Sequence, residues 1–420
     1  MLLTIEIILI LLAIYPVLGA LKWSCGLLFY LILSKRNHEF PKQNHDLDEV
    51  FAVIPAYNEE KTLLTTIQSV KNQGLDNDHI MVIDDNSSDE TVKIATMAGV
   101  RVYTKDQNKG KADSLNYAIK LIDELADPNK TAYLLSIDAD TILQANGVQR
   151  LLDYFYGHNY GGVTANMDVA NRENALAKSQ VVEFSSIVGI IKRAQVAMTG
   201  TMYAYSGATT LYAMAALKEV GGFREDRATE DISIAFDHSL NGYDAGFAPD
   251  VKFYMNVPTT LRDLYRQRKR WAKGGIEVLF TNLLTSFKRP KVIMMLFDQF
   301  LTIAWSFSWL IMSIYLAYRL VTEFLSGDFY ALGGTIGISL IVMTLQIVVG
   351  TVQIFIALLV DDNGSKLNYF MFAPLYLLFA HKSIIRNIFY LGLNRLGNFY
   401  FWIGKTDSFV VEPMNILGHI

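Results

Sequence analysis

The chain has 420 residues, of which 51% are hydrophobic and only 19% are charged, whereas soluble domains carry about 25% charged residues. Its net charge of −4 provides no basic field for nucleic acid, and its single cysteine excludes a disulfide framework and a cysteine-ligated metal site. Apolar residues are concentrated in the first 34 residues and after Lys291, so we expect a soluble domain between membrane segments.

Residues 2–34 form an apolar run that is too long for the core of a signal peptide and lacks a basic start and a cleavage site. About 20 apolar residues span a bilayer, so the run predicts one tilted helix, in which Pro16 favours a kink. The basic residues Lys35, Arg36 and Lys42 follow directly. By the positive-inside rule, this side of the membrane is predicted to be cytoplasmic.

The segment that follows alternates β-rich stretches with helical periodicity. Strands are predicted at residues 49–54, 80–84, 100–103 and 133–137, with helices at 59–73, 88–98 and 111–125. This order predicts an α/β domain whose parallel strands are covered by helices, and such sheets bind ligands at the carboxyl ends of their strands. Polar side chains stand at three of those ends: Asn58 and Glu59, Asp84 and Asp85, and Asp138 and Asp140.

Asp138 and Asp140 directly follow a predicted strand, so their side chains point the same way. Two carboxylates suit a cation such as Mg²⁺, which completes its coordination shell with water and substrate phosphate. Most Asp-x-Asp tripeptides are solvated turns, and it is the preceding strand that favours the metal site here. Asp84 and Asp85 are expected to bind a ribose or a base edge. Their alternative role, capping the next helix, is available to Ser87, Ser88 and Asp89.

Three further motifs each allow two interpretations. Lys111 ends a short basic turn before a helix, which fits either phosphate binding or an ordinary exposed turn. Asp231 stands in a Thr-Glu-Asp triplet that fits either a general base or a helix N-terminus with acidic residues. The basic stretch 262–275 around Trp271 fits both an interfacial helix and a site for phosphate and sugar.

Two C-terminal apolar runs, residues 292–322 and 331–360, predict transmembrane helices joined by a short acidic loop. A third run, residues 368–394, is interrupted by His381, Lys382 and Arg386. Charged side chains at bilayer depth usually face protein or water, which predicts a re-entrant or pore-lining element. A third span with snorkelling basic residues is the alternative. Arg395 and Lys405 favour a cytoplasmic C-terminus, which two full spans would give.

Six motifs occur together in one order, at residues 52–60, 82–91, 108–116, 136–140, 229–231 and 267–271. In this order they resemble the processive family-2 glycosyltransferases, among them cellulose, hyaluronan and, most similar in length and spacing, bacterial poly-β-1,6-N-acetylglucosamine synthases. The resemblance implies an α/β fold with a mixed, GT-A-like sheet that binds a nucleotide sugar. That sheet would carry helices on both faces and be flanked by transmembrane helices.

The resemblance also implies roles for individual residues. Asn58 and Glu59 would lie by the base, Asp85 or Asp84 would contact uridine, and Lys111 would belong to the nucleotide pocket. Asp138 and Asp140 would hold UDP through Mg²⁺ or Mn²⁺, and Asp231 would be the general base. Gln267, Arg270 and Trp271 would form the Gln-x-x-Arg-Trp motif, with Arg270 on the diphosphate and Trp271 on the acceptor sugar. Ser206-Gly207 would line the acceptor site, and residues 402–406 are similar to a segment that closes over UDP.

The expected organisation has five parts: an N-terminal transmembrane segment (1–34), a cytoplasmic glycosyltransferase domain (45–275), an interfacial linker (276–291), a C-terminal transmembrane region (292–394) and a cytoplasmic tail (395–420). The expected activity is inverting polymerisation of a UDP-sugar, most of all UDP-N-acetylglucosamine, into an extracellular β-linked polysaccharide that the enzyme also exports. The enzyme is expected in the plasma membrane, with its catalytic domain in the cytoplasm. Its expected partners are the UDP-sugar donor, the growing chain, the lipid bilayer and a small accessory membrane subunit, without nucleic acid.

Three alternatives stay open at this point. A glucan-type or hyaluronan-type synthase would use UDP-glucose, because donors that differ by one substituent are separated by a few pocket residues. A non-processive enzyme would move one sugar onto a polyprenyl phosphate, although the Gln-x-x-Arg-Trp motif and the C-terminal membrane segments argue against it. A transporter or anchor that only senses nucleotide would tolerate loss of Asp231, whereas an enzyme would not.

Overall fold

A computed structural model gives the fold and describes residues 2–34, 45–283, 287 and 289–377. The strands are β1 (Asp48–Ala56), β2 (Ile80–Asp84), β3 (Arg101–Thr104), β4 (Thr131–Ile137), β5 (Thr141–Leu143), β6 (Tyr160–Val169), β7 (Thr209–Ala213) and β8 (Asp244–Met255). The helices of the soluble part are α2 (Leu63–Lys71), α3 (Thr91–Met97), α4 (Lys111–Leu125), α5 (Gly147–Asp153), α6 (Ala175–Glu183), α7 (Ile190–Thr199), α8 (Met214–Glu219), α9 (Glu230–Leu240) and α10 (Leu261–Asn282). The long apolar helices are α1 (Leu2–Ser34), α11 (Pro290–Ser326) and α12 (Phe329–Val360).

All the strands join one mixed sheet in the order β3-β2-β1-β4-β7-β6-β8-β5. The four strands predicted from the sequence, β1 to β4, are parallel to one another, as their alternation with helices requires. The antiparallel strand β7 joins β4 to β6, and β6 is parallel to β8. The expected fold class, an α/β domain with a mixed sheet, is therefore confirmed.

The sheet is covered by helices on both faces, because alternate residues of a strand point to opposite sides. On β1, Val50 and Ile54 pack into the apolar core that also contains residues of α2 and α5. Phe51 and Val53 pack on the other side, with residues of α4, α8 and α9. A strand that is apolar on both faces is what a fully covered parallel sheet needs.

Three helices in the described part of the chain are long and apolar enough to cross a membrane: residues 14–34 of α1, and α11 and α12 over their whole lengths. These helices contain the runs predicted at 2–34, 292–322 and 331–360. Helix α10 continues to Asn282, into the segment assigned to the linker. Of the third C-terminal run, residues 367–372 form a 3₁₀ helix, while residues 378–394 lie outside the described residues.

The chain that leaves α12 is attached to the soluble domain by buried charges, here called the membrane junction. Asp361 pairs with Lys366 at 2.8 Å and accepts hydrogen bonds from Ser185 (2.8 Å) and Asn166 (2.9 Å). Lys366 also pairs with Asp168 of β6 at 3.1 Å. The end of the membrane helix is thus fixed to β6 and to the turn of π-helix that follows α6.

Candidate active site

The predicted polar strand ends lie at one edge of the sheet. The last residues of β1 and β2, Ala56 and Asp84, are direct neighbours in the parallel ladder, and β4 pairs with the other side of β1. The carboxyl ends of three adjacent strands therefore carry Asn58 and Glu59, Asp84 and Asp85, and Asp138 and Asp140. We call this edge the catalytic edge.

The loops after β1 and β2 are tied together by Asn58 and Glu59. Asn58 adopts a left-handed backbone conformation (φ 55°), which asparagine tolerates better than most residues. Its side-chain oxygen accepts the Ser88 N–H at 2.9 Å, and the Glu59 N–H donates to the Thr91 hydroxyl at 2.8 Å. Burial, and more weakly the charge of Asp138, raise the pKa of Glu59. The Glu59 carboxylate accepts the Thr62 hydroxyl at 2.8 Å and lies close enough to Asp138 for the two charges to interact.

Asp84 and Asp85 are both buried, and their carboxylates accept hydrogen bonds from backbone N–H groups of the neighbouring loops. The Asp84 carboxylate accepts the Ser87 N–H, which shapes the turn after β2. Asp85 accepts the N–H groups of Lys109 (3.0 Å) and Gly110 (2.7 Å) and pairs with Lys105. Asp85 thereby fixes the start of α4, so that Lys111 points into the edge. Uridine contacts for either carboxylate stay a prediction.

Lys111 lies at the centre of the catalytic edge. Its ammonium group pairs with Asp138, pairs with Glu230 at 3.1 Å, and donates to the Gly207 carbonyl at 2.7 Å. Burial alone would lower the pKa of Lys111, but the carboxylates of Asp138 and Glu230 raise it well above its ordinary value. This one cation thus links β4, α9 and the loop before β7.

Asp140 forms no ion pair with any of the residues that the structure describes. Burial, and then the neighbouring charges of Asp138 and Glu59, raise its pKa to about 6. Among the described residues, no three or more His, Cys, Asp or Glu side chains are arranged to hold a metal ion by themselves. A Mg²⁺-type ion fits this set, because it takes one or two carboxylates and fills its other positions with water and phosphate.

Asp231 is oriented by two backbone N–H groups at the N-terminus of α9. Its Oδ2 accepts the Gly207 N–H at 3.0 Å, and its Oδ1 accepts the Ile232 N–H at 2.9 Å. Burial, and then the negative charge of Glu230, raise the pKa of Asp231 to about 6. The carboxylate is therefore both held in place and basic enough to take up a proton near neutral pH.

Helix α10 brings one residue of the Gln-x-x-Arg-Trp motif to the edge. The positive charge of Arg270 acts on Glu230 and Asp231. Gln267 accepts a hydrogen bond from Arg268 at 3.2 Å, and Trp271 lies 4.1 Å under the Arg268 guanidinium. Trp271 also packs against the apolar cluster that contains Val169, Ala177, Val181, Phe184 and Val257. The structure thus gathers Arg270 with the carboxylates, whereas Gln267 and Trp271 contact Arg268 and, for Trp271, the apolar cluster.

A glycine sets the distance between α10 and α9. A Cβ atom on Gly274 would lie 2.7 Å from the Cβ of Thr229, the N-cap residue directly before α9. Because Thr229 is buried and its side chain is short, it has no room to give way. Gly274 therefore allows the helix that carries Arg270 to lie against the helix that carries Asp231.

Sequence reasoning missed two basic residues of the site and gave Glu230 no role of its own. Glu230 shares Lys111 with Asp138, although only its neighbour was assigned a function. Lys105 pairs with both Asp85 and Asp113, and Lys192 reaches Ser206 from α7. The only sequence signal for Lys192 is that it forms a basic pair with Arg193 directly after two isoleucines in α7. The segment 402–406 lies outside the described residues.

Comparisons with known proteins agree with this geometry. Residues 51–221 match the family model described as Glycosyl transferase family 2. The chain is 28% identical over 365 residues to the poly-beta-1,6-N-acetyl-D-glucosamine synthase of Staphylococcus epidermidis, covering 84% of this chain and 86% of that protein. It is 30% identical over 302 residues to the synthase of the same name from Staphylococcus aureus strain COL, covering 69% and 71%.

One solved structure shares the fold over most of the chain. It is the mannosyltransferase PcManGT of Pyrobaculum calidifontis, in complex with GDP-Man and Mn²⁺, with a TM-score of 0.55. The match covers 84% of this chain and 99% of that chain at 19% identity, so it supports the fold alone.

Proposed function

The chain belongs to glycosyl transferase family 2, and on that premise we propose that it polymerises UDP-N-acetylglucosamine into a β-linked polysaccharide at the cytoplasmic face of a membrane. The observation that carries the proposal is the position of Lys111, which joins the Asp138 side of the edge to the Glu230 and Asp231 side. In this position the ammonium group can stabilise negative charge on the diphosphate leaving group, close to the carboxylate that would take the acceptor proton. The names of the staphylococcal relatives support the choice of sugar.

The donor would bind across the ends of β1, β2 and β4. Asp138 and Asp140 would hold Mg²⁺ or Mn²⁺, which when bound supplies positive charge to the diphosphate leaving group. Lys111 lies next to this position at the N-terminus of α4, where backbone N–H groups favour phosphate. Arg270 adds a guanidinium, which pairs with phosphate oxygens in a bidentate manner. Asn58, Glu59 and the Asp84-Asp85 pair lie on the uridine side of the same edge in this proposal.

Asp231 would activate the acceptor by general base catalysis. Its carboxylate takes the proton of the acceptor hydroxyl while that oxygen forms a bond to the anomeric carbon. The bond from the anomeric carbon to the diphosphate oxygen breaks, and its electron pair leaves with UDP. Attack from the face opposite UDP inverts the configuration in one step, without a covalent enzyme intermediate. The N–H groups of Gly207 and Ile232 hold the carboxylate during this transfer.

The membrane helices support processive synthesis next to the lipid. Helix α10 carries the Gln-x-x-Arg-Trp motif, and α11 begins at Pro290, eight residues after α10 ends. In this proposal residues 45–275 are cytoplasmic, because Lys35, Arg36 and Lys42 follow the first apolar run. Gln267 and Trp271 would guide the acceptor sugar, and the polymer would leave between the membrane helices.

The test is product formation by the purified full-length chain in nanodiscs with Mg²⁺. UDP-N-acetylglucosamine and UDP-glucose are supplied separately, and both UDP release and the size of radiolabelled product are followed. We expect long polymer from UDP-N-acetylglucosamine alone, and none from Asp231→Asn. A single-sugar lipid product would establish the polyprenyl-phosphate alternative instead. Nucleotide binding without turnover, also after addition of a membrane extract to supply accessory subunits, would favour the nucleotide sensor.

A further inference from the structure

Lys192 of α7 is a buried lysine with neutral contacts only. Its residue is 8% exposed, and its ammonium group donates to the Ser206 hydroxyl at 2.7 Å. The centroid of the Phe247 ring lies 5.9 Å from the same nitrogen. Within the part of the chain that the structure describes, Lys192 forms no ion pair, whereas its neighbour Arg193 pairs with Asp361.

Burying an ammonium group without an ion pair is unfavourable. Burial lowers the pKa of Lys192 to about 7, and the charge that acts against this shift is that of Asp231. The group is therefore still charged in the pH range in which Asp231 titrates. Because an apolar residue of similar volume would be the cheaper occupant of this position, a role in the site accounts for the lysine.

Lys192 contacts the segment Ser206-Gly207, in which every backbone N–H and carbonyl group and the Ser206 hydroxyl form a hydrogen bond. The Ser206 N–H donates to Thr164 at 2.9 Å, and the Ser206 carbonyl accepts from Thr210 at 2.8 Å. The next residue, Gly207, gives its N–H to Asp231 and its carbonyl to Lys111. The Ser206 hydroxyl, the remaining polar atom, is bonded to Lys192. This segment therefore connects Lys192 to both halves of the catalytic edge.

We propose that Lys192 is a positioning residue for the general base: it holds the Ser206-Gly207 peptide against Asp231 and supplies a buried positive charge behind it. The inference rests on the proposed function, in which Asp231 accepts the acceptor proton. Lys192 has no hydrogen bond or ion pair with Asp138, Asp140 or Lys111, and its own hydrogen bond goes to Ser206. It acts on Asp231 through one hydrogen-bonded peptide and through its charge.

The charge and the hydrogen bond have separable effects. The groups that act most strongly on the pKa of Asp231 are Glu230, which raises it, and Lys111, the Ile232 N–H and Arg270, which lower it. The charge of Asp231 in turn acts on Lys192 of α7, so the two groups interact more weakly than these neighbours do. Removing the positive charge of Lys192 makes the carboxylate easier to protonate, so the acid limb of the pH profile moves to higher pH. Removing only the Ser206 hydroxyl leaves the charge and loses the hydrogen bond.

The experiment compares Lys192→Met, Ser206→Ala and the control Lys218→Met, which changes an exposed lysine paired with Asp123 on the far side of the domain. Full-length variants in nanodiscs are assayed for UDP release between pH 5 and pH 9. UDP binding with Mg²⁺ is measured by calorimetry on the same preparations.

Lys192→Met should move the acid limb of kcat/KM to higher pH by roughly half a pH unit, less than the loss of an opposite charge in direct contact would give. Both site variants should lose about fivefold in kcat at pH 8, the value of one net hydrogen bond, while Ser206→Ala keeps the wild-type acid limb. UDP affinity should stay unchanged in all variants.

An unmoved acid limb in Lys192→Met would overturn the inference. A loss of UDP affinity as large as the loss of kcat would do the same, because it would show general damage to the fold. Absence of turnover in the wild-type protein would overturn the proposed function and the inference with it. If the wild-type protein turns over and Lys192→Met has the same kcat and the same pH profile, the inference is overturned while the proposed function stands.

Discussion

Buried charge occurs in two regions of this molecule, and the regions differ in how that charge is balanced. At the membrane junction, Asp361 and Asp168 both pair with Lys366. Burial alone would raise the pKa of Asp361, but Lys366 and Arg193 lower it to about 2. At the catalytic edge, carboxylates outnumber cations, and burial raises the pKa values of Asp140 and Asp231 to about 6. The paired charges at the membrane junction attach the chain after α12 to the soluble domain. The excess of carboxylates at the catalytic edge can instead bind a cation and take up a proton.

The largest effect is expected when Asp231, the proposed general base, is neutralised. Asp231→Asn keeps the size of the side chain and its hydrogen bond from Gly207 but removes the proton acceptor. We expect kcat to fall about a thousandfold, within the range of general base catalysis, with UDP affinity unchanged. UDP release and calorimetry on the same preparation measure the two quantities. Retention of more than a tenth of the activity would contradict the role of Asp231.

At the membrane junction the corresponding change should affect stability instead of chemistry. Lys366→Met removes the buried cation that Asp361 and Asp168 share, while Arg193 and Arg172 stay paired with them. Breaking such a buried pair costs about 3 kcal/mol, the low end of the usual range, because the two arginines remain. Lys252→Met is the matched control, because its partner Asp362 is 42% exposed and such pairs contribute about 1 kcal/mol at most. Denaturant unfolding in detergent compares the two variants. Equal stability losses would remove the distinction between buried and exposed pairs.

The contact between α10 and α9 can be tested by adding one methyl group. Gly274→Ala pushes against the rigid, buried side chain of Thr229 and should cost about 2 kcal/mol. It should also lower kcat, because α9 carries Asp231. In Gly275→Ala the new Cβ meets only the end of the flexible Gln299 side chain, 2.5 Å away, which can move. Thermal unfolding and UDP release should therefore separate these neighbours, and similar behaviour would contradict the proposed packing.

The two regions should also respond differently to acid. A base must be deprotonated to act, so kcat/KM should fall about tenfold per pH unit as the pH drops below about 6, the pKa of Asp231. The Asp361 pairs contribute stability above the ordinary aspartate pKa of about 3.9 and lose it only as the pH falls towards 2. Unfolding curves should hence show the junction intact at pH 5, where activity has fallen. Parallel losses of stability and activity would contradict this separation.

The catalytic edge was largely predictable from the sequence, because its parts follow local rules. Strands β1, β2 and β4 are short apolar runs with polar residues directly behind them, and parallel pairing brings those ends together. The family of the chain was also correctly identified from the order of the six motifs. The assigned roles of the individual site residues, Asp231 among them, stay predictions.

The membrane junction and Lys192 depend on contacts between residues far apart in the chain. Asp168 and Lys366 are almost two hundred positions apart, and neither stands in a motif. The pairing of Lys192 with Ser206 depends on how α7 packs against β8 and the loop before β7. Local periodicity carries no information about such partners, so the basic pair in α7 did not indicate that Ser206 is the partner of Lys192.

The central claim is that the unbalanced carboxylates of the catalytic edge bind a nucleotide diphosphate through a divalent cation. Calorimetry of UDP binding to the full-length chain, with Mg²⁺, with Mn²⁺ and with EDTA, tests it most directly. We expect UDP affinity to fall about a hundredfold in EDTA, and Asp138→Asn to remove the difference between the conditions. Equal affinity with and without the cation in the wild-type protein would contradict the claim.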